Sequence, residues 1–147
     1  MSSTAGSLPL DGHGGWLHRA APLACGAAGC TAAAYVALND PSAPTSSFPA
    51  CAFRLTTGLW CPGCGLTRGF HHLFRADVAA AVASNVFVPL VFVALVYGWL
   101  RWTRHAFGRR QWVLPAAVVR ATWAVLPVAV VAYGVARNLP PLRALAP

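Results

Sequence analysis

Residues 85–100 read NVFVPLVFVALVYGWL and form the core of a run of twenty-three residues between Asp77 and Arg101 without a formal charge. About 20 helical residues cross a hydrocarbon core, so this stretch predicts a transmembrane helix over about residues 85–102. Twenty more charge-free residues lie between Arg19 and Asp40, with APLACGAAGC in their middle, and predict a helix over about 20–39. That helix is rich in alanine and glycine, which favours close helix packing. A third run, ATWAVLPVAVVAYGVA from Ala121 to Ala136, reaches membrane length if its helix starts near residue 115. Arg120 then snorkels or faces a partner helix. The expected fold is an all-α integral membrane protein with three transmembrane helices.

Composition agrees. Of 147 residues, 57% are apolar and only 10% charged, against roughly a quarter charged in a soluble domain. All eleven basic residues are arginine, the acids are Asp11, Asp40 and Asp77, and the formal charge is +8. The arginines bracket apolar runs instead of clustering on a polar face, so the expected partner is the lipid bilayer and not nucleic acid. No phosphate-cradling loop, haem-attachment motif or paired carboxylate is present.

Residues 1–18 are polar, glycine-rich and without periodicity, and are expected to be a disordered tail before a single membrane domain over 19–147. Arg19 and the small-residue run ending at Ala34 resemble a secretory signal, and Ala27-Ala28-Gly29-Cys30 resembles a lipoprotein box. The long leader, and an apolar stretch continuing through Tyr35, Val36 and Leu38, favour retention of residues 20–39 as a helix. The connection carrying Arg101, Arg104, Arg109 and Arg110 is the most basic and is expected in the cytoplasm of a multi-pass cell-membrane protein. The segment after the first helix then faces the non-cytoplasmic side. Trp99, Trp102, Trp112 and Trp123 sit near expected helix ends, as in an aromatic belt.

Chemistry concentrates in residues 48–84, a cysteine-rich loop followed by short helices. Cys51, Cys61 and Cys64 are separated by nine and two residues. Cysteines flanking Pro62-Gly63 can turn both sulfurs toward one point, as in a zinc knuckle, or close into a tight redox disulfide. The spacing alone does not choose. Residues 65–74 read as an amphipathic helix short enough to lie at the membrane interface. Cys64, Arg68, His71 and Arg75 share one face, with Leu66, Phe70, Leu73 and Phe74 opposite. Cys64 at that helix's N-terminus is expected to be a reactive, stabilised thiolate. His71 or His72 is the candidate fourth metal ligand. Asp77 reads as the cap of a small helix over 78–83, and Asn85 as the cap of the second span. Cys25 and Cys30 read as small packing residues.

The blocks Cys51-Ala-Phe-Arg-Leu-Thr-Thr-Gly58 and Cys61-Pro-Gly-Cys-Gly-Leu-Thr-Arg68, then Asp77, Asn85 and Arg137-Asn138-Leu-Pro140, resemble the small bacterial membrane proteins catalogued as domain of unknown function 2752. The resemblance covers about residues 48–142 and implies a multi-pass membrane protein without an assigned activity. Ala52 and Val86 stand where that family usually has proline. The first functional reading is a centre of metal, with zinc as the fitting ion, or of redox thiols, on Cys51, Cys61, Cys64 and His71. The second is a non-catalytic subunit that binds a membrane-protein partner or another copy of itself. A third is an anionic lipid-headgroup site of Thr67, Arg68 and Arg75.

Overall fold

The computed structural model describes residues 14–140. Every regular element among them is a helix: α1 (Gly14–Leu38), α2 (Ala52–Thr57), α3 (Leu66–Phe74), α4 (Val78–Ser84), α5 (Val88–Ala106) and α6 (Ala116–Ala136). Positions 1–13 of the expected tail lie outside the described residues, and from Gly14 onward the chain is already in α1.

Two helices are each long and apolar enough to cross a membrane, Gly15–Leu38 and Ala116–Ala136. The stretch that reads most strongly in sequence behaves differently. The small helix expected over 78–83 is α4, but α5 by itself falls short of a span and reaches that character only together with α4, as a pair bent by 106° at a short break. Two features cause this. Arg101 and Arg104 lie within α5 and shorten its apolar length. Pro89 sits in the first turn of α5, where its missing N–H is harmless; its ring would collide with the Asn85 carbonyl if the helix continued backward. Asn85 therefore turns extended and ends α4. It does not cap α5, a place taken by Phe87, although its Oδ1 accepts from the Phe87 amide at 2.9 Å.

α1 and α5 run antiparallel, because the N-terminal part of α1 meets the C-terminal part of α5. His18 and His105 make an edge contact with ring centroids 5.7 Å apart. Trp99 Nε1 donates to the Pro22 carbonyl at 2.9 Å, and the indole lies against Gly26 so closely that a Cβ there would come within 2.7 Å of it. Trp99 thus packs in the seam between α1 and α5.

α3 lies in the corner between α1, α4 and α5. Gly69 is buried at that junction; a Cβ on it would meet Val88 at 2.4 Å. Phe74 continues the contact, edge-on to Phe92 of α5. α6 is attached differently. It buries no side chain along its length, exposes Trp123, Val125, Val128, Val131 and Val135, and meets the other helices' end mainly through its last turn. These apolar surfaces suit contact with lipid.

At one end of the molecule the C-terminal ends of α1 and α6, the N-terminal end of α5 and the segment 51–65 come together. Replacing Gly26 with valine should separate α1 from Trp99 and lower stability by about 1–3 kcal/mol, the usual cost of overpacking. Detergent-denaturation titration of Gly26→Val against the parent protein measures this, and an unchanged midpoint would contradict the seam.

Candidate metal centre

Cys51 ends the loop after α1 and stands as N-cap of α2, which Gly58 closes with the left-handed conformation (φ 71°) that glycine adopts without penalty. This six-residue helix, unexpected from sequence, sends the chain back on itself. Arg54 lies 3.1 Å over the Trp60 ring and holds the returning strand of chain against α2. Cys61-Pro62-Gly63-Cys64 then forms a turn in which the Cys64 amide donates to the Cys61 carbonyl at 3.1 Å. Gly65, again left-handed (φ 82°), leads into α3.

The consequence is convergence. The Cys61 sulfur lies 3.4 Å from that of Cys51 and 3.2 Å from that of Cys64, and all three sulfurs fall within 4.8 Å of one another. They are separate thiols. Cys51 and Cys61 are half-buried and Cys64 is buried. Among the described residues no histidine, carboxylate or further cysteine joins this group.

The environments drive the outer two thiols apart in acidity. Cys51 makes no ordinary capping hydrogen bond, yet the Arg54 amide at the open helix end, together with the thiols of Cys61 and Cys64, brings its pKa down to about 7. Burial, reinforced by Cys61, pushes Cys64 up to about 12. This corrects the expectation of an activated Cys64 at the start of α3. Desolvation outweighs the helix end there, and the activated thiol is Cys51 at the start of α2.

His71 stands elsewhere. It is buried, and its Nδ1 lies 2.8 Å from the Val36 carbonyl of α1. A carbonyl only accepts, so Nδ1 carries the proton and the side chain ties α3 to α1. Its edge-on neighbour His72 also lies outside the sulfur cluster. Thr67 and Arg75 are exposed near opposite ends of α3. Arg68 lies between them, with its Nε buried and without a hydrogen-bond partner. Near Arg68 and His71 is Asp40, whose carboxyl is held below its ordinary range first by the Ser42 amide, then by the Ser42 hydroxyl, and last by these two side chains. No hydrogen bond among the described residues links Thr67, Arg68 and Arg75 into one site. Asp77 caps α4 as expected, its Oδ1 accepting from the Ala80 amide at 2.9 Å.

Three residues with no assigned site role turn out to hold the loop. Asn85 Nδ2 donates to the carbonyls of Pro62 (2.8 Å) and Cys64 (3.1 Å). Arg137, fully buried, donates from Nη1 to the carbonyls of Cys64 (2.7 Å) and Cys61 (3.2 Å). Asn138 pairs with both backbone groups of Trp60, its Oδ1 accepting at 2.9 Å and its Nδ2 donating at 2.8 Å. In sequence these residues look like helix ends. The available signal was their place in the same pattern of residues as the cysteines.

Fold and site together describe an all-helical protein with membrane-spanning character and a three-thiol cluster at one end. Residues 51–99, a third of the chain, match the family described as Protein of unknown function (DUF2752). The match covers the cysteine cluster, α2 to α4 and much of α5, and stops before Arg137. No curated protein and no solved structure matches the chain.

The split in acidity predicts a split in reactivity. A lowered pKa means that the thiolate fraction of Cys51 rises through about pH 7, whereas Cys64 stays protonated until about pH 12. In the metal-free protein, iodoacetamide labelling followed by peptide mass spectrometry should modify Cys51 with a midpoint about 7 and leave Cys64 unmodified at the same pH. Equal labelling of both with a midpoint near 8.5, the ordinary value, would contradict this.

Proposed function

We propose that this protein is a three-span membrane protein carrying a thiolate metal centre at its non-cytoplasmic end. The observation behind the centre is the convergence of the Cys51, Cys61 and Cys64 sulfurs within 4.8 Å. A disulfide engages two sulfurs; three that face one point share an ion held about 2.3 Å from each, the reach of a zinc–thiolate bond. An all-sulfur donor set favours a soft or borderline cation, and zinc is the fitting choice in the absence of redox chemistry.

The topology rests on two supports. The antiparallel arrangement of α1 and α5, with the end of α6 beside the start of α5, suits three crossings with the bent α4–α5 pair as the middle one. The arginines at 101, 104, 109 and 110 lie at the end opposite the cysteines, and short basic connections remain in the cytoplasm. The cysteine segment then meets the outer compartment.

A second reading draws on Cys51, whose lowered pKa suits a nucleophile toward an external disulfide. Metal content separates the two readings. Purified in detergent without chelators, the protein should hold one equivalent of zinc, and the single substitutions Cys51→Ser, Cys61→Ser and Cys64→Ser should each remove most of it. His71→Ala should keep the metal. A parent protein without metal that gains thiols on reduction would overturn the metal reading and leave the redox one.

A further inference from the structure

Resting on that reading, we propose that α6 completes the metal centre in cis: Arg137 is a positioning residue whose hold on the cysteine turn sets the affinity for the ion. In the ligating turn from Cys61 to Cys64, the carbonyls of both cysteines are bonded from the end of α6. There Arg137 Nη1 bridges the two carbonyls of the ligands themselves, Cys61 and Cys64. Nη2 reaches toward the Ser84 carbonyl at 3.5 Å, tying the turn to the end of α4.

The neighbouring contacts act in the same direction. Asn138 grips Trp60, just before the first ligand of the turn, through both its amide and its carbonyl. Gly134, one turn earlier on α6, lies so close to Pro62 that a Cβ would sit 3.2 Å from its ring. Phe87 packs edge-on against Tyr133, ring centroids 5.1 Å apart, and the Arg137 guanidinium lies 5.0 Å from the same tyrosine ring. The last turn of α6 is thus fitted to the ligand loop, while the rest of the helix buries no side chain.

A fork of charge-assisted hydrogen bonds fixes the rotation of the Cys61 and Cys64 peptides, and with it the direction of both Cα–Cβ bonds. Removal of such outer contacts commonly weakens metal binding by 10- to 100-fold. By linkage, whatever draws the end of α6 from the loop loosens the metal, and metal binding fastens α6.

The test is titration of the full-length, detergent-solubilised apoprotein with Co2+ alone, followed by its thiolate-to-cobalt charge-transfer band. Arg137→Gln should weaken cobalt binding by about 10- to 100-fold at unchanged helical circular dichroism, with Arg137→Lys recovering part of the loss. Unchanged affinity in Arg137→Gln overturns the inference. If Arg137→Gln does not fold, Asn138→Ala decides in the same way: weakened binding supports the role of α6, and parental affinity overturns it. A parent protein that binds no cobalt overturns the metal reading and this inference with it. Normal parental binding with unaffected variants overturns only the latter.

Discussion

The fork from Arg137 to the carbonyls of Cys61 and Cys64 is the interaction on which the remaining arrangement depends. A fully buried guanidinium is costly unless its donors are satisfied, and hydrogen bonds from a charged donor contribute about 1.5–3 kcal/mol each. The Cys61–Cys64 turn offers carbonyls that no helix consumes, and Arg137 offers the donors. Asn85 meets the same turn from the bend between α4 and α5. One short loop thereby joins the end of α6, the end of α4 and the start of α5.

This explains why the strongest apolar stretch is not a straight helix. A continuous helix through residues 78–100 would keep Asn85 within its hydrogen-bond ladder. The break instead releases Asn85 toward the loop, and Pro89 prevents the ladder from closing again. Its charge-free length and the separate small helix ahead of Asn85 were legible in the sequence; the sharp bend between the two helices needed the further fact that the cysteine turn offers carbonyls to Asn85. The apolar character of α1 and α6, the start of α3 near Gly65 and the Asp77 cap were legible for local reasons, since periodicity, glycine and capping chemistry act within a few residues.

What was not legible depends on distant contacts. Helical spacing correctly places His71 on the same face as Arg68, but spacing cannot say that α1 lies against that face and offers the Val36 carbonyl. The short α2 carries two threonines and ends in glycine, so it reads as loop; its stability comes from the stacking of Arg54 on Trp60 and from the Gly58 turn. Cys64 sits at a helix start, which argues for a thiolate, yet its burial argues more strongly for a thiol. Proximity of the three cysteines in sequence did identify the cluster, because a two-residue spacing and one reversal of the chain suffice to bring them together.

Arranged this way, the centre combines one thiol close to ionisation near neutral pH, one half-buried and one enclosed. A metal ion would lower the cost of deprotonating all three at once. The most direct measurement is X-ray absorption at the zinc edge of the zinc-loaded protein. Three sulfur scatterers at about 2.3 Å are the predicted result. A coordination sphere made only of nitrogen and oxygen would contradict the three-cysteine centre.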